Sequence, residues 1–192
     1  MPDIETLINR WQTGDEHAAE ALYNQFREQV YRLAYGLLGD RADAEETAQD
    51  ALSYALLNIR RFDPRQSSFT TWLHTITVSR CRNRYRRRRL TSVPIFTWLE
   101  EGHDIADPAA TPECLTRRRE IHGEIWDAIQ KLKPPLREVI LLRYWAGHTY
   151  REIADIVGCP VSTAQSRVRL AFDQLRTQLA HDDLAVLEEK QP

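Results

Sequence analysis

Apolar residues at Val161, Ala164, Val168, Ala171, Phe172, Leu175 and Leu179 recur at the 3.6-residue period of one helical stripe, and this fixes how the end of the chain can fold. A strand would scatter those positions over both faces, whereas a helix gathers them on one. Just upstream, Ile153, Ala154, Ile156 and Val157 give a shorter helix its own apolar face, which Gly158 and Pro160 interrupt. Ser162 is the expected N-cap of the longer helix. Residues 149–179 therefore read as a short helix, a Gly-containing turn and a longer helix, the form of a helix-turn-helix.

The side opposite that stripe is polar. Thr163, Ser166 and Arg169 point outward with Asp173 and Leu170, and Arg167 lies on the flank. Hydroxyl and guanidinium donors then stand where base edges and phosphates of a DNA groove would lie. An amphipathic hairpin packed inside a helical bundle gives the same pattern, so the segment alone leaves both readings open.

Helical periodicity extends through the rest of the chain. Leu22, Phe26, Val30, Leu33, Ala34 and Leu37 form one face of a helix over residues 18–38, and Gly39-Asp40 ends it. A second helix over residues 43–59 turns Ala48, Ala51, Leu52, Ala55, Leu56 and Ile59 inward and carries a separate, mostly acidic face of Asp43, Glu46, Gln49 and Asp50. After Phe62-Asp63-Pro64, a third helix is expected from about Ser67, with Phe69, Trp72, Leu73 and Ile76 as inner contacts. From Leu90 to Glu113 the pattern dissolves among Pro94, Pro108 and Pro112, which reads as a linker; its Ile95, Phe96, Trp98 and Leu99 are apolar enough to dock elsewhere. A second helical unit starts near Cys114, reaches Lys131 and restarts after Pro134-Pro135. The fold class expected is all-α, with two small helical domains.

Charge is polarised within the first of these units. Residues 1–59 hold four Arg against eleven Asp and Glu, net −7, whereas residues 60–89 hold ten Arg and one Asp, net +9. Seven of those arginines fall between Arg80 and Arg89, a density that neutralises several phosphates and makes DNA affinity fall steeply with salt. A solvated helix end, a membrane-surface patch or an address signal has the same composition.

Other classes find little support. No apolar run approaches the roughly 18 residues that span a bilayer, and the acidic N-terminus is unlike a secretory signal, so a cytoplasmic location is expected. Cys81, Cys114 and Cys159 are far apart and lack zinc-like spacing with His74 or His122, so reduced thiols and no metal are expected. There is no Gly-rich phosphate loop, His-Glu-x-x-His or nucleophile elbow, and the six histidines form no convergent set. Neither an enzyme nor a cofactor is expected.

Taken together, residues 40–89 resemble region 2 of a bacterial sigma factor of the extracytoplasmic-function group, and residues 132–179 resemble region 4 of the same family. The resemblance implies a subunit that binds core RNA polymerase, recognises promoter DNA and helps to open it, with an anti-sigma factor as a further partner. It implies a region 2 domain over residues 1–89, a linker over 90–113, a region 4 domain over 114–180 and a short acidic tail over 181–192. Asp43, Glu46, Gln49 and Asp50 would then meet the clamp helices of the largest polymerase subunit. The minus-10 element would be captured as single strand by Arg60, Arg61, Phe62, Arg65, Gln66, Ser67 and Ser68, with Arg80, Arg84, Arg87 and Arg88 along the phosphates. Ser162, Thr163, Gln165, Ser166, Arg167 and Arg169 would read the minus-35 element. The chain departs from the family where Gln165 replaces a common lysine or arginine and Leu170 a common arginine, so its reader is less basic. A stand-alone helix-turn-helix regulator remains the alternative, although no dimerisation helix is evident.

Overall fold

The computed structural model describes residues 3–91 and 123–179; the apolar linker residues Ile95, Phe96, Trp98 and Leu99 and the tail at 181–192 lie outside it. The first unit is built from α1 (Ile4–Gln12), α2 (Glu16–Leu38), α3 (Arg41–Leu57), a single 3-10 turn (Ile59–Arg61) and α4 (Phe69–Thr91). The second comprises a helix over residues 123–131 (α5), α6 (Pro134–Ile140) continued by a π-helical turn (Leu141–Trp145), α7 (Tyr150–Val157) and α8 (Val161–Arg176). Among the described residues there is no strand.

Local chemistry sets most of the boundaries. Gly39, at φ 69°, takes the left-handed position that ends α2, and its N–H reaches the Tyr35 carbonyl at 2.8 Å. Asp40 then caps α3 by accepting the Asp43 N–H at 2.8 Å, so α3 begins before the expected Asp43. The Ser68 hydroxyl accepts the Thr71 N–H at 3.1 Å, which starts α4 at Phe69. Thr149 and Glu152 form a reciprocal capping box at the head of α7.

One expectation is corrected here. Ser162 is not the N-cap of α8: Pro160 holds that place with ψ 148°, and its carbonyl receives the Thr163 and Ala164 N–H groups at 2.9 and 3.1 Å. Proline's fixed φ presets the entry, and Ser162 falls inside the first turn, exposed. Val161 likewise leaves the buried stripe, at 41% exposure, because the helix starts with it.

Leu22, Val30, Leu73 and Val78 are fully enclosed in the first unit, and Val139, Leu142, Ile153 and Leu175 in the second. Each such side chain contributes about 1.5–3 kcal/mol relative to exposure. The two units also pack on each other. Gly36 on α2 faces Leu141 so closely that a Cβ there would stand 2.9 Å from the leucine Cδ1. Tyr35 stacks on Trp126 at 4.8 Å, and α4 lies along α7.

Candidate nucleic-acid interface

The expected minus-10 loop follows α3. Arg60, Arg61 and Arg65 are exposed and carry no ion pair among the described residues, and Gln66 is exposed with its amide on Asp63 Oδ2 at 3.1 Å. Ser67 is half-buried, and Ser68 serves as the cap of α4. Phe62 is 9% exposed and meets Phe69 and Trp72 at 5.5 Å, which anchors the loop to the aromatic core. Phe69 is core as well, packed edge-on against Phe26 at 5.0 Å.

The arginine helix α4 is tied down along much of its length. Arg80 sits over the Tyr54 ring, 4.6 Å from its centroid. Arg84 reaches Asp43 Oδ1 at 2.6 Å and Glu46 Oε2 at 2.7 Å, and the hydrogen bonds it donates to Glu46 and Asp43 raise its pKa above the usual guanidinium value. Arg88 lies 3.0 Å from Asp43 Oδ2 and 3.3 Å from Asp40 Oδ2. Arg87 is exposed. Basic and acidic faces that looked independent in sequence therefore neutralise each other across α3 and α4. Asp43 is 7% exposed beneath these guanidiniums, whereas Glu46, Gln49 and Asp50 face solvent. The acidic face open to a partner is thus the three-residue remainder.

Arg82 turns the other way, into the second unit. Its Nε and Nη2 donate to the two Glu138 carboxylate oxygens at 2.9 and 2.7 Å, and both Nη groups donate to the Val157 carbonyl at 3.1 Å, at the negative end of α7. The Glu138 hydrogen bond raises its pKa. Beside this clamp a groove of about 700 Å³ runs between the units, lined in part by Leu38, Cys81, Tyr85, Pro135, Cys159 and Arg167. Burial and the nearby Glu138 push the Cys81 thiol up to about 12, which leaves it a protonated, unreactive thiol at neutral pH. Cys159 is half-buried and free, and Cys114 lies outside the described residues.

Arg137 is a residue that local pattern gave no reason to single out. Buried at 7% exposure, it donates to the carbonyls of Ile129 at 3.2 Å, Leu132 at 3.2 Å, Gln130, and Leu37 across the domain boundary at 2.9 Å. These carbonyls lie at the ends of α2 and α5, where helical partners run out, and one planar guanidinium reaches them together, sharing that of Ile129 with the Leu132 N–H at 3.1 Å.

The second-unit reader is more open. Ser162, Gln165, Ser166 and Arg169 are exposed on α8, and Leu170 is 50% exposed among them. Thr163 is half-buried with its carbonyl accepting from Ser166 Oγ at 3.0 Å. Arg167, half-buried, borders the interdomain groove.

The histidines correct another expectation. Read in sequence they converge nowhere, yet His74 and His148 meet between the units with Nδ1 and Nε2 2.6 Å apart. The signal lies in the turn before α7: a π-helical segment followed by Gly147 at φ 72° swings His148 back toward α4. Among the described residues no group of histidine, cysteine and carboxylate side chains is arranged to hold a metal.

A basic helix on one helical unit and a helix-turn-helix on the other define a two-module nucleic-acid-binding protein. The family description Sigma-70 region 2 matches residues 22–91, and Sigma-70, region 4 matches residues 122–175. The RNA polymerase sigma-H factor of Pseudomonas aeruginosa is 30% identical over 172 residues, covering 85% of this chain and 87% of that protein. The sigma factor SigW of Bacillus subtilis is 29% identical over 181 residues, covering 92% and 96%. The sigma factor RpoE of Bartonella quintana, solved with the anti-sigma factor NepR, shares the fold at a TM-score of 0.63 and 23% identity, over 85% of this chain and 97% of that one. The chain belongs to the extracytoplasmic-function group of the sigma-70 family, the promoter-specificity subunits of RNA polymerase. Among the described residues no helix is long and apolar enough to cross a membrane.

Proposed function

We propose that this subunit holds core polymerase through Glu46, Gln49 and Asp50 on α3, captures the minus-10 element with Arg60, Arg61, Arg65 and Gln66 beside α4, and reads the minus-35 element with α8. The observation that carries this reading is the division of exposure. The polar face of α8 and the basic loop after α3 are both presented to solvent, on separate units. Gln165 is suited to pair with adenine through N6 and N7, a contact worth about 1–3 kcal/mol of discrimination. The three exposed α3 residues, two of them acidic, suit a basic docking surface such as the clamp helices would offer.

The packed arrangement is then a resting form. Two elements separated by roughly 25 base pairs lie about 85 Å apart along B-form DNA at about 3.4 Å per pair. A compact chain of this length has a radius of gyration of about 16 Å, so the two units must part to occupy both elements at once. An anti-sigma partner that favours the packed form would hold the subunit silent; the similar sigma factor RpoE of Bartonella quintana was solved in complex with the anti-sigma factor NepR.

The test is reconstitution. Core polymerase stripped of its own specificity subunit is combined with this chain and a template library. Stable association with accurate, template-dependent initiation is expected. Site-specific DNA binding without polymerase association would instead identify a stand-alone regulator.

A further inference from the structure

We propose that the His74–His148 contact is an acid-sensitive latch between the two units, holding them together while both imidazoles are neutral and letting them part when a proton is taken up. The inference rests on the promoter-binding reading above for its biological meaning, but the latch itself rests on geometry.

His74 is wholly buried on α4, and His148 is 4% exposed in the turn before α7. Their 2.6 Å contact joins Nδ1 of the first to Nε2 of the second, and one of the two nitrogens must be a bare acceptor. The surroundings assign the roles. His148 Nδ1 faces Glu152 Oε2 at 3.8 Å, where an N–H is favourable, so His148 Nε2 is the acceptor and His74 Nδ1–H the donor. His74 Nε2 is then a bare nitrogen, buried and, among the described residues, without a hydrogen-bond partner.

A further proton has no good place in this arrangement. On His74 it creates a buried N–H at Nε2 with no acceptor. On His148 it sets two N–H groups against each other, unless the His74 proton moves to Nε2 and becomes the same orphan. Either route costs the closed form a desolvated donor and a buried charge.

The groups around the pair offer partial relief. From α7 comes Glu152, whose carboxylate also accepts from Thr71 Oγ1 of α4 at 3.1 Å and from Thr149 at 2.8 Å. From the π-helical turn comes Arg143, whose guanidinium donates to the His148 carbonyl at 3.0 Å and lies over the Tyr150 ring. Further along α4 the Arg82–Glu138 clamp crosses the same boundary. Glu152 favours a charged His148, yet burial outweighs it and that imidazole's pKa falls below the ordinary value. Burial, with His148 adding to it, pushes His74 from 6.5 down to about 3.

The sign follows from proton binding. Both imidazoles take up protons in the open form at pH values where the closed form refuses them, so the closed form is undiminished above about pH 6.5 and is lost progressively below it. The His74 shift alone, from 6.5 to about 3, makes the open-to-closed ratio about tenfold larger at about pH 5.5 than at about pH 8. His148 acts in the same direction.

Single-molecule energy transfer tests this on the full chain, with dyes introduced through unnatural amino acids at the exposed positions Leu57 and Thr177, one in each unit. The expected result is about a tenfold rise in the open-to-closed ratio between about pH 8 and about pH 5.5, with far-UV helicity unchanged. His148→Gln and His74→Gln keep hydrogen-bonding capacity without a titrating ring, and each should flatten that response, whether the variant rests closed or open. An unchanged ratio in the parent chain overturns the latch, as does a response that survives in a folded variant. Helicity lost in step with opening overturns it too, because acid unfolding then explains the change. Should one variant fail to fold, the parent titration and the other variant still decide. Accurate transcription with no pH response would sink only the latch, and absence of transcription at every pH would sink the promoter reading.

Discussion

Helices α4 and α8 both carry arginine on a face suited to DNA, but they present it differently. On α4, Arg80, Arg82, Arg84 and Arg88 are each held by an aromatic ring or a carboxylate of the same chain. On α8 the exposed Gln165, Ser166 and Arg169 stand clear of the other unit. The difference teaches that a dense run of positive charge is not by itself a DNA surface. In the packed form the stronger cation store is committed internally, and the weaker, less basic reader is the one left open.

Breaking the internal side of that contrast should give the largest effects. Arg137→Ala removes the side chain that donates to the carbonyls of Leu37, Ile129, Gln130 and Leu132, at a cost of about 2–4 kcal/mol in urea unfolding. Arg137→Lys should recover little, because an ammonium cannot reproduce the planar fork. Next comes Arg82→Ala. It strands Glu138, whose side chain is 9% exposed, and should raise the open fraction at neutral pH about tenfold in the Leu57–Thr177 energy-transfer measurement, equivalent to about 1.4 kcal/mol.

Arg84→Ala sharpens the comparison from within the first unit. Removing a partner of the buried Asp43 should cost about 1–2 kcal/mol, reduced from a fully buried pair because Arg84 is partly exposed and Arg88 also reaches Asp43. Urea titrations of the parent and the variant would check this.

The DNA-facing changes are no larger and differ in kind. Arg167→Ala should weaken promoter binding by about 1–2 kcal/mol in a sequence-dependent way, visible once the units part and the groove beside it opens. Arg87→Ala should weaken promoter and scrambled DNA alike and lower the salt slope by about one. Equal losses on both templates for both variants would erase the distinction between reader and cation store.

The parts of this arrangement that were legible in sequence are those decided within a few residues. The apolar stripes of α2, α3 and α8 and the stops at Gly39 and Gly158 follow from helical period and left-handed glycine geometry. Thr149-x-x-Glu152 offered a further local signal, the capping box of α7. What was illegible depends on contacts between distant positions. The His74–His148 contact spans 74 residues, the Arg82–Glu138 pair 56, and the Arg137–Leu37 bond 100. Asp43 and Phe62 looked available because an exposed face and a covered one share the same residue types until the covering helix is placed. Ser162 misled for a smaller reason: serine is a favoured cap, but Pro160 had already preset the entry to α8.

The central claim is that the packed units separate to read two distant promoter elements. Energy transfer between Leu57 and Thr177, measured in a complex of this chain with core polymerase and promoter DNA that yields an accurate transcript, tests it most directly. The account predicts a shift from the mainly high-transfer population of the free chain at neutral pH to a low-transfer state in the initiating complex. A transcribing complex that keeps the transfer efficiency of the free chain would contradict it.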